Sequence, residues 1–449
     1  MENLVIADLH LHSKYSRAVS QKMDLTEIGY WASCKGIDLV ATADWTHPLW
    51  FRQLQHELEE KESGLYRLKK GGINLNDKLR FVLATEVSNI YTQNGVVHRI
   101  HTVIMSPNLA TSQKVIKALE NRGVNLNSDG RPIMGLSIIE LCELLWTIDE
   151  QIFVLPAHIW TPWFSMYGSK SGFNSITECY GQFSNKITAI ETGLSSDPIM
   201  NWSVPELENR QIVSFSDAHS GQKLGREATV FRKKNQKNYD YFDLIKALKK
   251  DKTSALEIAF TIEFFPEEGK YHFSGHRDCG VRLTPKEVNK VKGICPKCHK
   301  PLTIGVMDRV QELAGELLEE ADMPIKLSHT NTKLIYPPKK THPPFVSIIP
   351  LMELIAHQQR VTSVSKKVLE KYLFLIENVG SEFEILLFKD LKELEHLGET
   401  KLAQLINKMR QRQIRLEPGY DGVFGKIEVD VAQNKQTDSP ASQEALFNT

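Results

Sequence analysis

The segment Asp8-Leu9-His10-Leu11-His12 alternates polar and apolar side chains directly after the apolar run Leu4–Ala7. Successive side chains of a strand point to opposite faces, so Asp8, His10 and His12 share one face. Two imidazoles and a carboxylate on one face suit a metal ion. The arrangement recurs along the chain. Further short apolar runs are Leu39–Ala43, Arg80–Ala84, His101–Met105, Ile152–Pro156, Ile187–Ile190 and Ile212–Ser216. Asp44 and His47 follow the second run, Glu86 follows the third, and His101 opens the fourth. His158 follows the fifth, and Asp217 and His219 follow the seventh. Helical patterns lie between several of them, at Leu25–Lys35, Thr111–Arg122 and Ile138–Asp149. Strand–helix alternation predicts an α/β domain of buried, parallel strands. Seven strands in about 230 residues fit a barrel, whose strand ends converge on one mouth.

One histidine at a strand end is usually a hydrogen-bonding residue. An ordered set of histidines and carboxylates at nearly every strand end is a metal centre. His10, His12, Glu86, His101, His158, Asp217 and His219 are the candidate ligands, with Asp44 and His47 as further ones. Mixed imidazole and carboxylate donors suit Zn²⁺, Mn²⁺ or Fe²⁺. Two or three such ions bridged by a carboxylate are the usual apparatus of phosphoester cleavage.

A second metal signature follows at residues 276–298. His276 and Cys279 form one pair with two intervening residues, and Cys295 and Cys298 form another. That spacing lets four ligands reach one tetrahedral Zn²⁺ and leaves no open position, so the site is structural. His299 and His272 are alternatives to His276. Cys34, Cys142 and Cys179 have no such neighbours and read as core residues.

Six cysteines in 449 residues are too few for a disulfide scaffold. No apolar run is long enough to span a membrane. The N-terminus lacks the basic start of a secretory signal, so a cytoplasmic protein is expected. Lys+Arg and Asp+Glu balance at 55 each, yet 231–252, 266–310 and 387–415 carry local basic excesses that suit phosphate binding. The sequence divides into a barrel (1–265), a ribbon (266–305), a mostly helical region (306–427) broken at Tyr336–Pro350, and a polar, disordered tail (428–449). Trp160, Trp163, Tyr167 and Lys170 crowd the stretch after His158, either as a packed loop or as the wall of a base pocket. Leu394–Arg412 reads as a helix, a Gly turn and a basic helix, suited either to a bundle or to DNA phosphates.

DLHLHS, the Asp44 turn, ATEVS, the His101 strand, the His158 turn and SDAH together resemble the polymerase-and-histidinol-phosphatase (PHP) superfamily of metal-dependent phosphoesterases. The resemblance implies a distorted seven-stranded barrel. It also implies one metal held by His10, His12, Glu86 and Asp217. Glu86 would bridge to a second metal held by His101 and His158, and His219 would belong to a third. Trp45 and Ala18 stand where many members have histidine, which puts the third ion in doubt unless Asp44 or His47 substitutes. With THPLW, PAHIWTPWFSMYGS, GHRDCG…CPKC and PGYDGVFGKI, the chain is similar to the endonuclease Q family over about residues 1–427. That likeness implies a divalent-metal DNA repair nuclease that nicks 5′ of uracil, hypoxanthine, xanthine and abasic sites. His10, His12, Glu86, Asp217 and His219 would be its catalytic residues. Damaged DNA would be the partner, with two or three Zn, Mn or Mg ions and one structural Zn. Gln443–Phe447 (QEALF) is similar to a sliding-clamp-binding peptide. The alternatives are a small-molecule phosphatase like histidinol-phosphate phosphatase, and a non-catalytic nucleic-acid-binding module.

Overall fold

The computed structural model describes residues 3–69, 76–234, 238–339 and 341–429. The first strand, Leu4–Asp8, is buried and central. It pairs in parallel with Leu39–Ala41 and antiparallel with Ala228–Lys233. Leu39–Ala41 pairs in parallel with Arg80–Val82. These strands belong to a ten-stranded sheet. A second sheet holds Ala84–Gln93, Val96–Met105, Ile133–Met134 and Phe153–Pro156, and a third pairs Ala189–Glu191 with Gln211–Val213. Backbone bonds join the three sheets into a ring. Ser106 N donates to Leu83 O at 2.8 Å, and Ile159 N donates to Glu191 O at 3.1 Å. A bridge between Leu11 and Ala218 closes the circuit. The mixed α/β architecture is therefore a distorted barrel.

The expectation of uniformly parallel strands fails at the fourth run. His101–Met105 is the end of the ten-residue strand Val96–Met105, which runs antiparallel to both Ala84–Gln93 and Phe153–Pro156. Asn94-Gly95 joins the hairpin with φ of 52° and 78°. A two-residue turn with both φ positive connects only antiparallel strands.

The region 306–427 is helical as expected, with short strands added to it. The helices Leu351–Gln359, Lys366–Asn378, Lys392–His396 and Thr400–Arg410 are present. The same region also supplies three short strands, Ile325–Leu327, Lys333–Ile335 and Phe345–Ser347, to the large sheet. Phe345–Ser347 pairs in parallel with Leu256–Glu263 of the barrel region. Three-residue strands carry no readable periodicity, and their partners are remote in sequence. The clamp-like string 443–447 and nearly all of the expected tail 428–449 lie outside the described residues.

The ribbon is a hairpin, Ser274–His276 against Val281–Leu283, followed by the helix Pro285–Lys290. It has its own small core of Val281, Leu283, Val288, Cys295 and Leu302. The Gly-rich turn after Arg415–Glu417 packs back on it through a Phe273–Tyr420 bridge. Gly398 (φ 80°) separates the two helices of the basic hairpin. Arg410 there is buried and donates to the carbonyls of Leu386 and Ile385 at 2.8 and 3.0 Å. Arg412 pairs with Glu320 at 2.6 Å. These two cations serve the chain's own fold and do not form a phosphate-facing surface.

Helix Leu25–Lys35 starts at Asp24, whose side chain accepts from Glu27 N, and stops at Gly36 in the left-handed region. Its last residue, Lys35, is 2% exposed and lies 2.5 Å from Glu382, itself 2% exposed. Glu382 also accepts from Leu351 N at 2.9 Å. Breaking this pair leaves an ammonium buried without a partner. Glu382→Ala is expected to cost about 3–5 kcal/mol in urea unfolding, and Lys35→Met with Glu382→Leu to regain most of it. A loss below about 1 kcal/mol in the single variant would contradict the assignment.

Glu263 and Glu227 are fully buried behind the strand Ala189–Glu191. Glu263 accepts from Ser214 Oγ at 2.5 Å and from Thr261 Oγ1. Burial raises the pKa of both, and Glu263 raises that of Glu227 further. A carboxyl that holds its proton more tightly when folded stabilises the fold at acid pH. That contribution is lost as pH rises above the ordinary glutamate range. Glu263→Gln, neutral at every pH, is expected to flatten the decline in stability between pH 5 and 8. An unchanged slope would show that ionising Glu263 costs the fold nothing.

Candidate metal centre and adjoining cavity

His10 and His12 leave the end of the first strand on its inner face, as their alternation requires. Both are buried, at 1% and 0% exposure. Glu86, two residues into the strand Ala84–Gln93, lies between them. His10 Nε2 is 3.5 Å from Glu86 Oε1, and His12 Nε2 is 3.3 Å from Oε2. Asp217 Oδ1 closes the group, 3.6 Å from His10 Nε2 and 3.0 Å from His12 Nε2. On the other side, Glu86 Oε1 is 2.8 Å from His101 Nδ1 and 3.0 Å from His158 Nε2. His10, His12, Glu86 and Asp217 offer four ligand atoms within 4.8 Å of one another, and so do the three of Glu86, His101 and His158. Glu86 belongs to both groups.

Three residues reach the site through strained backbone. Asp44, His158 and Asp217 have φ of 36°, 29° and 46°. Each such non-glycine residue costs on the order of 1–3 kcal/mol, a strain that clusters at functional sites. The close approach at His158 also needs Gly193, where a Cβ would lie 2.3 Å from that of His158.

The electrostatics favour added positive charge. Burial disfavours charge on Glu86, yet His101, Arg131 and His10 hold its pKa well below the usual range. Burial likewise opposes protonation of His10, but Glu191, Glu86 and Asp217 raise its pKa well above an ordinary imidazole's. Burial, with the charges of His158 and Arg131 beside it, lowers His101 to about 4 against the opposing pull of Glu86. His10 Nε2 is buried and has no hydrogen-bond partner. An orphan imidazole nitrogen aimed at two carboxylates is what a cation site looks like without its cation.

The outer partners are equally specific. Glu191 places both oxygens 3.0 Å from His10 Nδ1 and accepts from His158 N at 2.7 Å. Asp44 Oδ1 is 3.3 Å from His12 Nδ1. Its Oδ2 accepts from Ser13 N, Ser13 Oγ and Ser16 Oγ at 2.7, 2.6 and 2.8 Å. Asp44 is thus an orienting carboxylate behind His12. His47 stacks on Tyr15, with ring centroids 4.3 Å apart, and joins neither ligand group. Asp8 accepts from Ser216 and Gly225 and closes the barrel behind the site. His219 Nδ1 is 2.8 Å from Asp217 O, and its side chain is 36% exposed.

A cavity of about 600 Å³ opens beside the cluster. Its wall includes Arg131, Trp163, Phe164, Phe264, Tyr271 and Phe424, drawn from all three regions of the chain. Of the four residues expected to form a base pocket, only Trp163 lines it. Trp160 is buried and donates to Asn201 Oδ1 at 2.8 Å, and Tyr167 is buried and donates to Glu206 Oε2 at 2.5 Å. Both are core residues, because their polar tips find partners inside. Lys170 is exposed and lies off the wall. Sequence reasoning missed Glu191, Arg131, Tyr271 and Phe424. Glu191 was findable, since it directly follows the sixth run, the one run without a candidate.

In the ribbon, His276, Cys279, Cys295 and Cys298 bring their ligand atoms within 4.8 Å of one another. His299 is exposed and His272 is buried elsewhere, so His276 is the imidazole of this group.

Residues 350–413 match the family described as the MJ0043 C-terminal domain. The uncharacterised protein MJ0043 of Methanocaldococcus jannaschii is 33% identical over 277 residues, which are 60% of this chain and 31% of that protein. The chain therefore spans about a third of that relative's length. Among solved structures, the lesion-specific endonuclease PfuEndoQ from Pyrococcus furiosus superposes with a TM-score of 0.77 at 28% identity. The match covers 94% of this chain and 95% of that one. An endonuclease Q complex with a 27-mer duplex carrying an abasic lesion at the active site matches with a TM-score of 0.77 at 27% identity, over 95% and 97% of the two chains. No helix among the described residues is long and apolar enough to cross a membrane. The likeness to these endonuclease Q structures runs from the barrel through the ribbon to the last hairpin, over nearly the full length of both chains.

Proposed function

We propose that this protein is a divalent-metal-dependent DNA repair endonuclease that hydrolyses the phosphodiester 5′ of abasic sites and of uracil, hypoxanthine or xanthine. One observation carries the reading. A buried His–carboxylate cluster opens on an aromatic-walled cavity, in a chain similar over 95% of its length to an endonuclease Q bound to an abasic duplex. The cavity, of about 600 Å³, has room for a nucleotide, and an extrahelical base would stack on walls such as Trp163, Tyr271 and Phe424.

His10, His12, Glu86 and Asp217 would hold one divalent ion, and Glu86, His101 and His158 a second. When bound, such ions activate water and neutralise phosphate charge. Two ions rather than three is our count, because Asp44 spends Oδ2 on serines and His47 stacks on Tyr15. Zn²⁺ and Mn²⁺ fit these imidazole-rich donor sets better than Mg²⁺, which prefers oxygen ligands alone. In hydrolysis a bond forms from water oxygen to phosphorus and the bond from phosphorus to the leaving oxygen breaks. Water gives up one proton and the leaving oxygen gains one. Glu191 and Asp44 hold His10 and His12 by their Nδ1 atoms, which fixes each ring's tautomer. His219 donates from Nδ1 to Asp217 O, so its Nε2 carries the lone pair and can exchange a proton with solvent at the cavity. His276, Cys279, Cys295 and Cys298 would hold a structural Zn²⁺. The work of such an enzyme is in the cytoplasm, on the cell's DNA.

The test uses end-labelled duplexes with one abasic site, one uracil, one hypoxanthine or no lesion, with and without EDTA. A metal-dependent nick immediately 5′ of the lesion is expected, abolished in His12→Ala and Asp217→Ala with folding intact. No nick on any duplex, with phosphate released from small monoesters, would turn the reading to a phosphatase. Cys295→Ser should remove about one Zn per chain and lower the thermal midpoint. An unchanged midpoint would dismiss the ribbon site.

A further inference from the structure

Arg131 has no role in the reading above, and its position demands one. Its Nη1 lies 3.0 Å from Glu86 Oε2, the oxygen that also faces His12. Glu86 is completely buried there, whereas the Arg131 side chain is 23% exposed and lies on the cavity wall with Asp217 and His219. The guanidinium is thus tethered at one edge to the carboxylate shared by both ligand groups, and borders the space a phosphate must enter.

The chain segment that carries it is fixed from both sides. Asp129 Oδ1 accepts from Arg17 N at 3.3 Å and from Arg131 N at 3.1 Å. Gly130 N donates to Tyr15 O at 3.0 Å, and a Cβ on Gly130 would lie 2.3 Å from Asp44 Oδ2. Pro132 O accepts from Ser88 N at 3.0 Å, and Ile133–Met134 pairs with Ser88 and Asn89 on the strand of Glu86. The segment is bolted to the loop of His12 on one side and to the strand of Glu86 on the other. A donor held this way pays little reorganisation when charge develops beside it.

We propose that Arg131 is a catalytic residue whose guanidinium contacts a non-bridging oxygen of the phosphate under attack and stabilises the charge that develops there. Arginine suits this task because its planar fork offers several N–H donors and never loses its charge. It forms no bond and moves no proton. The inference rests on the phosphodiesterase reading but not on lesion recognition.

The experiment compares wild type, Arg131→Ala and Arg131→Gln on an abasic duplex and on bis(p-nitrophenyl) phosphate, a diester with no base to recognise. Metal content per chain and the urea midpoint are measured on each. A fall of about 10²–10³ in kcat on both substrates is expected, with metal content and duplex Kd nearly unchanged. Guanidinium ion added to Arg131→Ala should restore part of the rate, and Arg131→Gln should fold as wild type does. Wild-type kcat in either variant would overturn the role. So would a loss of metal that matches the loss of rate, since Arg131 would then only position Glu86. Wild type that hydrolyses the small diester but nicks no lesion duplex would sink the repair reading while leaving Arg131 decided by the diester ratio.

Discussion

Glu86 is a carboxylate buried at 1% exposure with four imidazoles and a guanidinium converging on its two oxygens. An ionised carboxylate this deep is stable only if positive charge or donors surround it. The rest of the centre follows from that need. His101 and His158 must come from strands on one side, His10 and His12 from the strand on the other. The ring of strands brings both within reach of one side chain. The barrel is the scaffold that serves the shared carboxylate here, and the left-handed backbone at Asp44, His158 and Asp217 is the local strain of aiming three side chains inward at strand ends.

The surrounding carboxylates divide into two kinds by their partners. Asp217 and Glu86 face the imidazole nitrogens that point into the centre. Glu191 and Asp44 face the Nδ1 atoms that point away from it. The first kind can share a cation, while the second sets which nitrogen of each ring is free to do so. Ser13 and Ser16 matter for this reason. By saturating Asp44 Oδ2 they leave only Oδ1 for His12, which makes Asp44 a rigid acceptor and not a ligand.

Much of this was legible in the sequence, because strand-end residues have a fixed relation to the strands that precede them. His10, His12, Glu86, His101, His158 and Asp217, which the structure brings together, could all be placed at or near strand ends without coordinates. Asn94-Gly95 is a turn signal for an antiparallel hairpin that the expectation of uniformly parallel strands did not take into account. Other features were not readable. Arg131 sits on an irregular segment whose position depends on Asp129, Gly130 and a remote strand. Tyr271 and Phe424 come from regions hundreds of residues from His10, and only tertiary packing brings them to the cavity. For Trp160 and Tyr167 the sequence left a packed loop and a pocket wall open, and burial with the acceptors Asn201 and Glu206 decides for the packed loop.

The cavity's composition explains why the three regions are joined so tightly. Trp163 belongs to the barrel, Tyr271 to the ribbon and Phe424 to the final hairpin. Trp163 meets Tyr271 edge to face, with centroids 5.5 Å apart. Lys270 Nζ lies 5.7 Å from the Phe424 ring. A wall assembled from three segments keeps its shape only if those segments do not move relative to one another. The bonds that secure them are backbone ones, Gly419 N to Glu267 O at 2.8 Å and Phe273 N to Gly419 O at 3.0 Å. Losing the ribbon's fold would therefore deform one side of the cavity while leaving the His–carboxylate cluster intact. Metal binding at the barrel and selection of what enters the cavity are in this way separable properties of one chain.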